Sequence, residues 1–216
     1  MPKILSEATI EAFRDRLCNI AEGLFAAHGP DGVTMRELAE ALGVSQMTPY
    51  RYFKDKDAIL AAVRARAFNR FAAAMEIAAE RIEKSRDNPA KRFAEGEAAG
   101  STYLDFALSN PAAYRLMFDV SQPTFGEYPE LVAAMERARL TMGAGLRRLA
   151  AEGRFSGDVE LTAHVFWSAL HGAVMLELTG LLKQENLDAR KIANAGIAAL
   201  ARQLGVWNTP QHKEAS

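Results

Sequence analysis

The stretch from Val33 to Leu60, VTMRELAEALGVSQMTPYRYFKDKDAIL, constrains the fold more than any other part of the chain. Thr34 stands before a short apolar-periodic run, and Glu37 follows three residues later, the spacing of a capping box. Leu38, Ala39 and Leu42 then share one face of a helix. Gly43 ends that helix, because glycine accepts the left-handed backbone of a helix stop. Gly43-Val44-Ser45 reads as a tight turn, and Ser45 opens a second short helix that reaches about Phe53. Ala39 is small, so the second helix can come close. Val44 inserts between the two helices, and Leu38, Leu42 and Phe53 close a small core. This is the helix-turn-helix plan, whose second helix is shaped to enter a DNA major groove. Gln46, Met47, Thr48, Tyr50, Arg51 and Tyr52 are left on its outward face, and such side chains reach base edges or phosphates.

Pro49 complicates that second helix. If Ser45 caps it, Pro49 removes the first helical hydrogen bond and strains the turn. If Thr48 caps it, Pro49 becomes the favoured first helical residue. The two choices aim Gln46 and Met47 differently, and both stay open on the sequence.

Helical spacing continues along the rest of the chain, and clean strand alternation is scarce. Ile10, Phe13, Leu17, Ala21 and Leu24 mark helix 1, which stops at His28-Gly29-Pro30-Asp31-Gly32. Asp55 can cap a long helix from Lys56 to about Lys84. Ser85 to Pro89 reads as a loop. Further helices are expected near 90–108, 112–119, 129–151, 158–182 and 188–205, with a polar tail from Asn208. The fold class is therefore all-α, with about nine helices. The expected division is a helix-turn-helix domain over 1–56, a second helical domain over 57–208 and a tail over 209–216.

Composition sets limits. Apolar residues make up 49% and charged residues 25%, as in an ordinary globular protein. The net charge is −1, so a nucleic-acid partner must be attracted locally. Residues 1–56 hold seven Lys/Arg against eight Asp/Glu, yet residues 45–56 hold Arg51, Lys54 and Lys56 against Asp55 alone, a local +2. Cys18 is the only cysteine, which excludes an internal disulfide and fits a reducing, cytoplasmic setting. No secretion signal is expected at the N-terminus. The longest uncharged run, Leu161 to Leu176, is shorter than the ~20 residues a bilayer span needs, so no membrane partner is expected.

The segment resembles the tetracycline-repressor (TetR) family. The residues that carry the likeness are Phe25 and Gly29, Val33 to Ala39, Gly43-Val44-Ser45, Tyr50 to Phe53, Lys56-Asp57 and Leu60, within residues 10–62. Phe166 to Gly172 also looks like a Trp-xxx-His-Gly signature of one subgroup. The resemblance implies that Tyr50, Tyr52 and Lys56 touch phosphates, with Thr34 at a helix start beside them. It implies that Gln46, Met47 and Thr48 read bases, with Arg36 joining from helix 2. Arg51 can read a guanine or pair with a phosphate. It also implies a homodimer, joined through the helices near 158–182 and 188–205, on a pseudo-palindromic double-stranded operator. A small-molecule effector would release the operator, and repression is the expected outcome.

Several plainer readings stand beside these. The bihelical segment can be a helical corner, Arg36 can simply pair with Glu40, and the last two helices can pack within one chain. Phe71, Met75, Tyr103, Phe106, Tyr114, Met117, Phe118, Trp167 and His171 can all be core. They can also line a cavity for an apolar or aromatic effector, with Tyr103, Trp167 and His171 as polar handles. No metal site is expected, since His164 and His171 lie about 10.5 Å apart along a helix. No cofactor motif and no catalytic motif stand out, so an enzyme is not expected. A helical ligand-binding protein without DNA recognition, and a helical enzyme, remain the alternatives.

Overall fold

A computed structural model describes residues 6–84, 100–119 and 125–203. It is all-α, with nine α-helices and no strand among the described residues. They are α1 (Glu7–His28), α2 (Met35–Leu42), α3 (Lys56–Lys84), α4 (described over 100–109), α5 (Pro111–Met117), α6 (Pro129–Met142), α7 (Ala144–Ala151), α8 (Val159–Leu178) and α9 (Ala189–Gln203). Single 3-10 turns cover Pro49–Arg51, Phe125–Glu127 and Leu181–Gln184. The expected loop at Ser85–Pro89, the start of the helix near 90–108 and the tail from Asn208 lie outside the described residues.

The chain falls into two compact units. The first joins the residues up to Arg70 with Asn110–Arg137; the second joins Phe71–Ser109 with the residues from Ala138 onward. The first unit is built around Leu17, Cys18, Ala21 and Phe25 of α1. Val33, Leu38, Leu42, Phe53, Ile59, Leu60 and Val63 pack on them, and Leu116 of α5 completes the cluster. Burying each large aliphatic side chain there stabilises the unit by roughly 1.5–3 kcal/mol. Arg64 is buried in the same unit and its Nη2 donates to the Met117 carbonyl at 3.1 Å. Burial lowers its pKa and Asp119 opposes that shift.

In the second unit α8 packs chiefly against α9, and Leu146 and Ala163 join α7 to α8. A Cβ on Gly196 would lie 3.8 Å from Ala169, ordinary contact between closely approaching helices.

Three expected helices end differently. The single helix over 129–151 is two, α6 and α7, parted at Gly143. Arg147 occupies the space a side chain there would need: a Cβ on Gly143 would meet its Nη1 at 2.5 Å. Arg147 also donates to the Leu140 carbonyl and pairs with Glu160 at 2.8 Å. A side chain thus satisfies a carbonyl left over at the break. The helix over 158–182 ends at Leu178, because Gly180 turns to φ 78° and a 3-10 turn follows. The expected second helix of the motif is reduced to the 3-10 turn at Pro49–Arg51.

Candidate functional site

The motif begins as its local chemistry dictates. Thr34 caps α2 and closes a full capping box. Its hydroxyl accepts from the Glu37 N–H at 3.2 Å, and its own N–H donates to Glu37 Oε2 at 2.7 Å. These bonds favour the carboxylate and hold the Glu37 pKa below the ordinary glutamate value, the backbone bond contributing most. Gly43 adopts φ 69° and ψ 33°, and its N–H returns to the Ala39 and Glu40 carbonyls. No neighbour lies within 4 Å of a Cβ built there, so the backbone conformation is what calls for glycine.

The second helix of the motif is shorter than expected. Only Pro49–Arg51 form a turn, and it is 3-10. An α-helix from Ser45 would need an N–H at position 49, and proline has none. The Ser45 carbonyl instead accepts from Thr48 N–H at 2.9 Å. Pro49 therefore opens the turn, as in the second of the two choices. Thr48 provides no side-chain cap; its backbone is already helical and its hydroxyl shares a 2.8 Å hydrogen bond with Ser45. Pro49 is buried, and Tyr52 and Phe53 N–H groups both return to its carbonyl at 3.0 Å.

One side of this segment packs inward and the other is bare. Val44, Tyr52 and Phe53 meet the first unit's core. Gln46 and Arg51 are exposed; Met47 and Tyr50, both large and apolar, are 69% and 48% exposed. Thr48 is half-buried.

The anchoring residues divide by geometry. Tyr52 is half-buried and its ring stacks on Phe13, centroids 4.1 Å apart at 22°. Lys56 Nζ donates to the Pro30 carbonyl at 2.6 Å and fastens the loop after α1. An ammonium has three donors, so the others remain for a phosphate. Arg36 pairs with Glu40 at 2.8 Å on an exposed face, a bond worth little and readily exchanged. Asp55 caps α3, accepting from Ala58 N–H at 2.8 Å.

The sequence counts Lys54 only in the local charge, without a contact of its own, and does not mark Arg14 at all. Lys54 projects with its side chain 91% exposed, and Asp55 stands 3.9 Å from its ammonium. Arg14 grips the end of the segment from α1, and no local pattern announces a contact between residues that far apart in sequence.

The aromatic candidates divide between the units. In the second, Trp167 donates its indole N–H to the Tyr103 hydroxyl at 3.1 Å. Phe71 lies edge-on to Tyr103 at 5.4 Å and to Phe106 at 5.3 Å, and His171 stands 5.8 Å from Trp167. Met75 is buried in the same unit, and burial lowers the His171 pKa. Tyr114, Met117 and Phe118 belong to the first unit, where Phe118 meets Tyr114 at 4.9 Å and Phe68 at 5.8 Å. No cluster of potential metal ligands occurs among the described residues, and none of their helices is long and apolar enough to cross a membrane.

Comparison with known proteins decides what this arrangement belongs to. Residues 19–63 match the model for bacterial regulatory proteins of the tetR family, and residues 97–200 match the tetracyclin repressor-like C-terminal domain. The HTH-type transcriptional repressor Rv1474c of Mycobacterium tuberculosis is 30% identical over 178 residues, 70% of this chain and 94% of the relative. The chain belongs to the TetR family. A TetR-family chain is a DNA-binding transcriptional regulator of the ligand-responsive kind. Solved structures agree in fold. A protein of unknown function from Rhodococcus sp. RHA1 superimposes with a TM-score of 0.72 at 26% identity, over 94% of this chain and 98% of its own. SmeT, the repressor of the Stenotrophomonas maltophilia multidrug efflux pump SmeDEF, gives 0.63 at 20% identity, over 94% and 96%.

Proposed function

We propose that this TetR-family regulator reads its operator with Gln46, Met47, Thr48 and Arg51, joined by Arg36 from α2, and holds the sugar-phosphate backbone with Thr34, Tyr50, Tyr52, Lys54 and Lys56. The observation that carries the reading is the exposure of Met47 and Tyr50, 69% and 48%, on a segment whose other side is core. Large apolar groups held outward beside Arg51 and Lys54 suit thymine methyls and sugar faces within reach of phosphates. The regulator acts as a repressor, bound as a homodimer to a pseudo-palindromic site with half-sites about 34–36 Å apart.

The dimer is joined through α8 and α9. Leu161, Ser168 and Leu176 are exposed on one stripe of α8 with half-buried Val165 and Gly172. Among the described residues, nothing outside the helix's own backbone lies within 4 Å of a Cβ built on Gly172. Intrachain packing therefore does not demand a glycine there, whereas close approach of a second copy does.

The effector is a small apolar or aromatic molecule held by the ring group of the second unit: Phe71, Met75, Tyr103, Phe106, Trp167 and His171. Binding that favours one conformation over another shifts operator affinity by that difference.

A gel shift against the DNA upstream of the protein's own gene, at low salt, tests the reading. Retardation that weakens as salt rises is expected. Absence of a shift at low salt would favour a ligand-binding protein without DNA recognition.

A further inference from the structure

We propose that Arg14, on α1, is a positioning residue for the DNA-reading segment: it fixes the far end of that segment and ties it to the first turn of α6. The proposal rests on the reading that residues 46–52 meet DNA. Contacts of one side chain carry it. Arg14 Nη1 donates to the Tyr52 carbonyl at 3.1 Å, at the end of the 3-10 turn, where helical geometry leaves carbonyls over. Its guanidinium carbon lies 4.3 Å from the Phe53 ring centroid, in cation–π range. Its Nη2 stands 3.8 Å from Glu130 at the start of α6, and its Nε 3.8 Å from Glu11.

The contacts differ in firmness. The Arg14 side chain is only 28% exposed, whereas Glu11 and Glu130 are 70% and 80% exposed. The grip on Tyr52 and Phe53 is thus shielded, and the link to Glu130 is loose and adjustable. Phe13, the neighbouring residue of α1, stacks on the Tyr52 ring. Consecutive residues of α1 therefore hold both the ring and the main chain of Tyr52. A planar guanidinium can lie over Phe53, donate sideways to the Tyr52 carbonyl and keep its charge near Glu130; an ammonium is a point donor. Arg14 accordingly sets the angle at which residues 46–52 are presented.

The test compares a duplex selected from a random pool by the wild-type protein with a scrambled duplex. Wild type, Arg14→Leu, Arg14→Lys and Glu130→Gln are each measured on both, across a salt series. Arg14→Leu is expected to lower the selected-to-scrambled affinity ratio about tenfold, the equivalent of one hydrogen bond to a charged group. Affinity for the scrambled duplex and its salt slope should stay at wild-type values. Arg14→Lys, which keeps charge and aliphatic stem, should fold normally and still show a lowered ratio. Glu130→Gln should lower it less, in the same direction. A normal ratio with a reduced melting temperature in both Arg14 variants would make Arg14 merely structural. A loss on both duplexes with the salt slope reduced by about one unit would make it a phosphate contact. Either result overturns the proposal, and a Glu130→Gln ratio equal to wild type overturns the tie to α6. If wild type itself shows no preference for the selected duplex, the base-reading role of residues 46–52 fails first, and the proposal fails with it.

Discussion

The Ser45 carbonyl accepts from Thr48 rather than from the residue four positions on, because that residue is Pro49 and has no N–H. The segment proposed to read DNA therefore ends in a 3-10 turn over Pro49–Arg51 instead of continuing as an α-helix from Ser45. Pro49→Ala supplies the missing donor. It is expected to change the operator sequence chosen in a selection, and to cost about 1 kcal/mol of stability through a more flexible unfolded chain and a smaller buried side chain. An unchanged preference would show that the turn does not set base choice.

Lys54 and Gln46 should fail in different ways. Lys54→Ala is expected to weaken binding on every duplex and to flatten the salt dependence by about one unit, as loss of one phosphate contact does. Gln46→Ala should instead change which sequence binds best, at a cost of about 1–3 kcal/mol on the original site. Equal losses for Gln46→Ala on all duplexes would remove it from base reading.

Thr34→Ala breaks the hydroxyl half of the capping box. Thermal or urea melting at neutral pH should show a loss of about 1 kcal/mol. The pH dependence follows from Glu37, whose pKa is held down in the folded state. Its stabilising contribution is complete above the ordinary glutamate value and disappears as pH falls through the lowered folded value. The Thr34 hydroxyl supplies the second part of that shift by donating to Glu37 Oε2 at 2.8 Å, so the gap between wild type and Thr34→Ala should narrow on acidification through that window.

His171 works in the same direction for a different reason. Burial lowers its pKa, so the folded protein prefers the neutral ring. As pH falls below the ordinary imidazole value, the unfolded chain takes up a proton that the folded chain refuses, and stability drops until the lowered folded value is passed. His171→Gln should remove that part of the decline. A melting curve series with identical acid limbs for both proteins would contradict a half-buried ring that favours the neutral form.

Gly172→Leu tests the dimer face. A Cβ at this position has no described neighbour within 4 Å, so the protomer should keep its helical circular dichroism. Sedimentation should show a shift from dimer to monomer, with operator affinity lost alongside. A stable dimer in this variant would move the interface elsewhere.

Local rules made much of this molecule legible. The Thr34–Glu37 box, the left-handed Gly43 and the Asp55 cap each depend on neighbours within four residues, and each appears where expected. The long helix α3 is helical from Lys56 through Lys84, the last residue described in that stretch, along the expected apolar periodicity. The contacts that aim the site are of another kind. Arg14 with Tyr52, Phe13 with Tyr52 and Lys56 with Pro30 join residues remote in sequence, and nothing periodic marks them. The break at Gly143 was hidden for a similar reason. A glycine alone permits a helix to continue, and it is Arg147, bridging Leu140 and Glu160, that makes the interruption stable.

Methylation interference at guanine N7 tests the central claim most directly, because that atom lies on the major-groove edge of the base. On a duplex selected by the wild-type protein, interference should fall in two symmetric clusters about 10 base pairs apart or a multiple of that spacing. The pattern should be redistributed by Gln46→Ala and left in place, though weakened, by Lys54→Ala. Clusters insensitive to both substitutions, or binding indifferent to guanine methylation, would contradict a reading segment centred on residues 46–52.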